Sequence, residues 1–448
     1  MDNSSADFAS SAPGPWWRGL AAAWHGLEVW PRRGLRLLAT AALVAWASQL
    51  AEMPWRSVLR GTDSSNYYFW LRSLMVDGDW DFRNDVQECD TMLSDSYRQE
   101  MLSQRLTPAG RLPNKYGIGW AVVSVPAYLV ADGVVATGRA LGGWTLRRDG
   151  YNPVYQVALY AWHFGLALAG LVLAWRCACR WCDPPIALLG VALLWGASPL
   201  AFYQTIKLSL SHGVSFLAVT VMTWALLRAR EAGGRNWPWW LAGIAWGLAV
   251  ITRFQLAVFA VVPVWIWWCG RRRAGARGSA QAAGAFALGA VPLVALQLFA
   301  WHTVYGRWLV FTYGEQGEGF NWLQPEFFGG LLSARHGLFY WHPFLLAGVI
   351  GLGWLAWRRE AVALAGGVAV ALVVYVNAAW WCWWFAASFG QRAFDGACLY
   401  LMLGLAFLLA RLPAAGRAAV CWLGGRRRLG IFMSWRCSIP RPFRAIRR

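Results

Sequence analysis

The chain has 448 residues, of which 58% are apolar and only 14% are charged, and its mean hydropathy is +0.37. A soluble globular domain carries about 25% charged residues, so this composition excludes a soluble enzyme, a disordered protein and a disulfide scaffold. The net charge of +19 would elsewhere suggest a nucleic acid partner. Here most arginines separate long apolar runs, so we interpret them as topology signals and expect no nucleic acid partner.

Apolar runs of about 20 residues predict membrane spans. They lie near residues 34–53, 154–175, 185–203, 213–229, 280–300, 343–357, 361–379 and 396–411. The stretch 238–269 is too long for one span and short for two, and Arg253 at its middle favours a hairpin of two short helices. The chain is therefore predicted to be an all-α polytopic membrane protein with about 10–11 transmembrane helices.

Short arginine-rich loops stay in the cytoplasm, and they decide the predicted orientation. Residues 1–33 are expected to form a cytoplasmic N-terminal segment, and 34–425 the transmembrane domain. Within that domain, 53–153 is predicted to be a large outer loop with interfacial helices. The tail 426–448 contains eight arginines and is interpreted either as a lipid-binding segment or as an aberrant, frameshifted end.

One segment of the outer loop decides on which side every later motif lies. Residues 117–137 are apolar. If they crossed the membrane, the arginine-rich loops after them would lie on the side opposite to the arginines before the first span. We therefore expect an interfacial segment that is broken at Pro126 and Asp132.

The outer loop is rich in carboxylates, and Asp63 is the first candidate for chemistry. It opens an amphipathic stretch soon after the first span, where a carboxylate can accept a proton from an acceptor hydroxyl. The alternative is that Asp63 is a helix N-cap. Asp79 and Asp81 alternate with Asp77 and are candidates for holding an acceptor or a divalent cation. A calcium loop would need glycine where Phe82 stands.

Basic residues near the same face indicate an anionic ligand. Lys115 and Lys207, the only two lysines of the chain, each precede an apolar segment, and they are candidates for binding a phosphate. Snorkelling to the interface is the alternative. His212 is a further site candidate or a hydrogen-bonded helix start. Arg253 has apolar neighbours on both sides, which indicates a phosphate ligand or a structural ion pair.

The later outer segments combine charged side chains with many aromatic ones. The site candidates among them are Glu315, Arg335, His336 and Arg392, and Glu318, His342 and Asp395 accompany them. Aromatic faces beside hydrogen-bonding groups suit sugar rings, although a Trp and Tyr belt is normal at any bilayer interface.

These features resemble the GT-C superfamily of membrane glycosyltransferases, near the protein mannosyltransferases and the aminoarabinose transferase of lipid A (glycosyltransferase family 39). The resemblance covers roughly residues 34–411. It rests mainly on the order of short motifs: Asp63, Gly78–Trp80 (GDW), Lys115 in NKYGIGW, Ser198–Leu200 (SPL), Gly243–Arg253, Arg335–Phe339 (RHGLF) and Ser388–Arg392 (SFGQR).

The resemblance implies a GT-C-like fold, in which Asp63 is the catalytic base or binds the acceptor and Lys115 contacts the donor phosphate. The chain departs from the family in three places. Ser64 replaces a glutamate of the first motif, Ser211 and His212 stand where many relatives have an aspartate, and no Pro-Pro follows Lys115.

The sequence thus predicts an inverting glycosyltransferase of the bacterial inner membrane, with its active site facing the periplasm. It would move a sugar from a polyprenyl-phosphate or diphosphate carrier to a lipid, glycan or protein acceptor. We expect a divalent cation (Mg, Mn or Ca) as the one candidate cofactor and no nucleotide. The alternatives are a transporter or lipid flippase, in which Arg253 lines a translocation path, and a noncatalytic membrane subunit.

Overall fold

A computed structural model describes residues 29–52, 59, 61–89, 92–231, 234–386 and 388–420. Residues 1–28 of the predicted N-terminal segment and the whole predicted tail 426–448 lie outside this range. Within it the chain is all-helical, and the predicted class is confirmed; its β structure is a single bridge between Phe320 and Trp380.

The helices follow the apolar runs of the sequence. In chain order they are α1 (Val29–Glu52), α2 (Thr62–Arg72), α3 (Phe82–Glu88), α4 (Asp95–Leu102), α5 (Gly119–Ala140), α6 (Pro153–Ala178), α7 (Pro184–Ala197), α8 (Leu200–Thr205), α9 (His212–Ala229), α10 (Trp237–Thr252), α11 (Val261–Tyr305), α12 (Phe327–Leu332), α13 (Leu338–Trp341), α14 (Leu345–Trp357), α15 (Ala361–Ala379) and α16 (Cys398–Arg411).

Among the residues that the structure describes, five helical stretches are long and apolar enough to cross a membrane: Gly119–Ala140, Pro153–Ala178, His212–Ala229, Phe254–Tyr305 and Ala361–Ala379. Shorter apolar helices pack among them, and α7, α10, α14 and α16 are of this kind. These helices make the chain a multi-pass membrane protein. The number of crossings stays a prediction.

The helical structure is interrupted at two positions in the region 237–305, at Arg253 and at Gly275. The predicted hairpin near Arg253 is present, because α10 ends at Thr252 and Arg253 itself is extended (φ −150°, ψ 113°). The helix α11 reverses direction at Gly275, where φ is 69°, and it therefore has two arms, 261–274 and 276–305. Only glycine adopts this conformation without strain.

The arginine-rich loops lie together at one end of the bundle. Arg180 pairs with Glu231, and Arg230 pairs with Glu360, so ion pairs join the loops after α6, α9 and α14. The opposite end carries the first outer loop, whose helices α2 to α4 share an apolar core with α5 and with parts of α6, α9, α10 and α11. The two ends of the molecule are therefore chemically different.

The segment 117–137 differs from the expectation, because α5 runs through Pro126 and Asp132 without a break. At Pro126 the helix loses only one backbone hydrogen bond. The charge of Asp132 has partners outside the helix, because its carboxylate accepts hydrogen bonds from Arg148 Nε (2.7 Å) and from Tyr155 Oη (2.7 Å). The expected breaks are wrong for these reasons.

Both ends of α5 nevertheless lie on the side of the outer loop. Tyr116, just before the helix, contacts α2, and in the loop after the helix Asp149 and Tyr151 bond to Arg72 and Asp85. The next helix, α6, runs beside α9 in the same direction, since Tyr160 near its start bonds to Ile206 before α9, and Arg180 after its end pairs with Glu231 after α9. The chain thus re-enters the bundle from the end at which α5 began.

Close backbone contacts hold α14 against α16. A Cβ atom added at Gly351 would lie 2.0 Å from the carbonyl oxygen of Gly404, so the glycines allow this approach. Such contacts between small residues are a main source of helix association in membranes.

We expect Gly351→Ala to destabilise the protein by about 1–3 kcal/mol, because the added methyl group forces the two helices apart. Thermal unfolding of the purified protein in detergent measures the effect. Gly353→Ala is the matched control, because it lies in the same helix and its Cβ would have no neighbour within 4 Å. Equal unfolding temperatures for the two variants would contradict the role of this contact.

Candidate active site

The first turn of α2 places Asp63 at the end of the bundle that carries the outer loop. The helix begins after Gly61, whose φ of 114° excludes most other residues, and Asp63 makes no capping bond. Ser64 and Tyr67 fix the helix, because Ser64 Oγ bonds to Ser209 Oγ (2.8 Å) and Tyr67 Oη to Ser211 Oγ (2.9 Å). The carboxylate of Asp63 is therefore held beside the segment that leads into α9.

Each oxygen of the Asp63 carboxylate has a partner from a distant part of the chain. Tyr116 Oη donates to Oδ1 (2.7 Å), and Arg392 Nη1 donates to Oδ2 (3.0 Å). Burial alone would raise the pKa of Asp63, but Arg392, the Tyr116 hydrogen bond, His212 and Lys115 together hold the pKa below its usual value. Asp63 is therefore ionised at neutral pH.

A second ion pair lies beside the first and is almost completely buried. Arg253 Nη1 is 3.1 Å from Asp395 Oδ2, and His212 Nδ1 is 3.0 Å from the same oxygen. The backbone N–H of Gly396 donates to Oδ1 (2.7 Å). Burial acts to raise the pKa of Asp395, but Arg253 and the hydrogen bonds outweigh it, so the pKa is lowered. The structural ion pair considered for Arg253 is thus present.

Lys115 makes the third ion pair of this region. Its ammonium group pairs with Glu318, and it also lies over the rings of Tyr313 (5.3 Å) and Tyr116 (5.8 Å). A cleft opens beside it, lined by Thr62, Asn66, Tyr97, Glu100, Met101, Gln104, Pro113, Tyr116 and Gln316. Lys207 lies near the same helix start, because its Nζ would be 4.0 Å from a Cβ at Gly61.

A row of aromatic rings lines the region between these ion pairs. Tyr67 and Tyr116 are 4.9 Å apart between ring centroids, Tyr116 and Tyr313 are 6.3 Å apart, and Tyr313 and Trp380 are 5.4 Å apart. Aromatic faces next to charged groups are suited to the apolar faces and hydroxyl groups of a sugar ring.

The structure therefore brings together five of the eleven predicted site residues. They form one cluster, which we call the outer cluster, and they are Asp63, Lys115, His212, Arg253 and Arg392. Three more residues belong to the outer cluster: Tyr116, Glu318 and Asp395. Asp395 and Glu318 were named among the charged residues of their segments, and a buried Arg253 indicates that it needs a carboxylate partner. For Tyr116, the one feature of the sequence that pointed to the site was its position next to Lys115.

Glu315, Arg335 and His336 do not belong to the ion pairs of the outer cluster. Glu315 pairs with Arg307 (2.7 Å) in a half-exposed position. Arg335 lies over the ring of Trp384 at 4.0 Å, and His336 Nδ1 is 2.7 Å from the Trp384 carbonyl oxygen. These two residues form a separate aromatic group at the same end of the bundle.

Asp79 and Asp81 also lie outside the outer cluster. Asp79 Oδ1 accepts from Ser73 and from the backbone of Asp81, and the Asp81 carboxylate caps α3 by accepting from the N–H of Arg83 (3.3 Å). Both carboxylates therefore stabilise the turn before α3.

The acidic stretch that suggested a cation site is arranged around an arginine instead. The buried guanidinium of Arg72 contacts Asp77 (2.6 Å), Asp85 (3.0 Å) and Glu88 (2.7 Å). Among the described residues, no group of three His, Cys, Asp or Glu side chains is arranged to hold a metal ion. These residues do not fit a divalent cation, and we assign no step to one.

Comparison with known proteins gives a distant structural similarity. No family model matches the chain, and no curated protein matches it. The chain is similar to the crystal structure of ArnT from Cupriavidus metallidurans in the apo state, with 16% identity and a TM-score of 0.49, over 90% of this chain and 62% of that chain. The chain is also similar to the crystal structure of ArnT from the same organism bound to undecaprenyl phosphate, with 18% identity and a TM-score of 0.46, over 86% of this chain and 61% of that chain. The chain thus spans less than two thirds of the length of these structures.

We expect Asp395→Asn to destabilise the protein by about 3–5 kcal/mol, because it leaves the Arg253 charge buried without its carboxylate. Thermal unfolding in detergent measures this loss. The control is Glu360→Gln at the more exposed Arg230–Glu360 pair, where a loss of less than about 1 kcal/mol is expected. A loss at Asp395 no larger than at Glu360 would show that the buried pair is not structural.

Proposed function

We propose that this protein is an inverting glycosyltransferase of the GT-C type in the bacterial inner membrane. It moves a sugar from a polyprenyl-phosphate or diphosphate carrier to an acceptor on the periplasmic side. The observation that carries the proposal is the outer cluster, in which an ionised, partly exposed Asp63 lies beside three cationic side chains and a row of aromatic rings. The order of the sequence motifs supports the same reaction.

Asp63 is suited to act as the general base. A carboxylate has about four lone-pair positions, and Tyr116 and Arg392 use only two of them. An acceptor hydroxyl can therefore donate to Asp63 without displacing either partner, and the side chain is 24% exposed for this purpose. Because the lowered pKa keeps Asp63 ionised, it is ready to take the acceptor proton.

The reaction is a single displacement at the anomeric carbon of the donor sugar. The acceptor oxygen forms a bond to this carbon and passes its proton to Asp63. The bond between the carbon and the carrier phosphate breaks, its electron pair moves to the phosphate oxygen, and the configuration inverts. Cations placed at that oxygen stabilise the charge that develops on it.

Lys115, Lys207 and Arg253 are the residues that we assign to the carrier phosphate. Lys115 borders the cleft described above, and Arg253 lies next to His212 at the start of α9. Lys207 Nζ lies near Gly61, which is two residues before Asp63 at the start of α2. The acceptor is a lipid, a glycan or a protein with a free hydroxyl group.

The position of the charges favours this function over transport. A transporter or flippase places its polar groups along a path near the midplane of the bilayer. Here the charged residues of the outer cluster lie at helix starts and in connecting segments at one end of the bundle, and Arg253 itself follows the last residue of α10.

Replacing Asp63 by asparagine is expected to reduce sugar transfer by at least about 100-fold, because the variant lacks a base for the acceptor proton. The measurement is transfer of labelled sugar in proteoliposomes from a panel of polyprenyl-phosphate donors. Asp95→Asn is the matched control in the same loop, because its side chain is 92% exposed and pairs only with Arg98. Full activity of Asp63→Asn would show that another group is the base.

Replacing Arg392 by glutamine is expected to move the acid limb of the pH–rate profile upward by about one to three pH units. The reason is that Arg392 is the main group that lowers the pKa of Asp63, so its loss raises this pKa and the base is protonated at higher pH. A variant that is slower but has an unmoved acid limb would contradict this electrostatic role.

A further inference from the structure

The ammonium group of Lys115 is already occupied by an anion of the protein itself. Glu318 pairs with it, although the two residues are 203 positions apart in the chain, and the two side chains are only 19% and 20% exposed. The rings of Tyr313 and Tyr116 also lie near Nζ, with their centroids 5.3 and 5.8 Å away. A phosphate that approaches Lys115 therefore meets the carboxylate of Glu318 at the same atom.

The backbone that carries Glu318 is held on both sides. Thr312 Oγ1 donates to the carbonyl oxygen of Lys115 (2.8 Å). The N–H of Glu318 donates to the carbonyl oxygen of Tyr313 (3.0 Å), and the N–H of Trp381 donates to that of Gly319 (3.1 Å). The Glu318 side chain has rotatable bonds of its own, so the carboxylate can leave Lys115 by rotation while both backbones stay in place.

The other carboxylates of the outer cluster are held more firmly than Glu318. Asp63 lies in the first turn of α2, where both its oxygens are bonded. Asp395 is almost fully buried, and it accepts from Arg253, His212 and the backbone of Gly396. Glu318 is held by its ion pair with Lys115, which a rotation of the side chain can open, so it is the carboxylate that an incoming anion displaces most readily.

We propose that Glu318 occupies the position of the donor phosphate on Lys115 and must be displaced when the lipid carrier binds. Glu318 thereby sets the affinity for the carrier, and this inference rests on the proposed function. The carboxylate and the phosphate repel each other, so the two anions do not share Lys115 without cost. In the absence of the carrier, Glu318 neutralises a lysine that would otherwise be partly buried without a partner.

The size of the effect follows from the fraction of molecules in which Lys115 is released. The apparent dissociation constant equals the intrinsic constant divided by that fraction. If the ion pair is closed in about nine molecules of ten, removing the Glu318 charge strengthens carrier binding by about tenfold. Lys115 is required for this gain, because without Lys115 the Glu318 carboxylate has no phosphate position to occupy.

The test is equilibrium binding of a radiolabelled polyprenyl phosphate without a sugar, using the full-length protein in nanodiscs. This readout needs no acceptor and no catalysis, so it is independent of the assignment of the base. The variants are Glu318→Gln, Lys115→Gln and the double variant. Glu315→Gln is the matched control, because Glu315 lies in the same turn but pairs outward with Arg307.

We expect Glu318→Gln to bind the carrier about tenfold more tightly, and Glu315→Gln to bind it like the wild type. Lys115→Gln should bind it more weakly, and adding Glu318→Gln to that variant should give no gain. If Glu318→Gln binds no more tightly while Lys115→Gln is weaker, the inference is overturned and the proposed function stands. If Lys115→Gln also binds normally, or no carrier binds at all, the phosphate role of Lys115 is wrong, and the inference is wrong with it.

Discussion

The architecture of the outer end depends on the need to neutralise each buried charge. Arg392 pairs with Asp63, Arg253 with Asp395, and Lys115 with Glu318, and all three pairs join segments far apart in the chain. A charge inside or beside a bilayer is costly unless it has a partner, so the helices must pack in the arrangement that supplies one. The same pairs that satisfy this requirement assemble the candidate active site.

The outer loop uses the same principle away from the site. Arg72 gathers three carboxylates in a buried position, and the loop after α5 closes around it through Asp149 and Tyr151. This group stabilises the outer loop, whose apolar residues pack in one core with those of α5, α6, α9, α10 and α11, so that α2 presents Asp63 from a rigid support. A base that is positioned within a fraction of an ångström needs such a support.

The outer cluster combines two demands that oppose each other. The ion pairs stabilise the protein, but in the proposed reaction a donor phosphate needs the same cations. Where the carboxylate is held by several bonds, as in Asp395, the pair stays closed, and the proposed phosphate contact of Arg253 uses N–H groups other than Nη1. Where the carboxylate is held by its ion pair with one cation, as in Glu318 with Lys115, the pair is open to exchange. Different cations of one cluster can therefore have different roles, although their charges are equal.

The sequence by itself determined the helical class, the arginine-rich loops and the hairpin at Arg253, because hydropathy and charge act locally along the chain. It also placed Asp63, Lys115 and Arg253 among the candidates, since polar residues at the ends of apolar runs are exceptional. Only the tertiary structure decided which carboxylate pairs with which cation, since these partners are brought together by helix packing. The continuity of α5 through Pro126 was decided in the same way, because Asp132 finds its partners in Arg148 and Tyr155, beyond the helix itself.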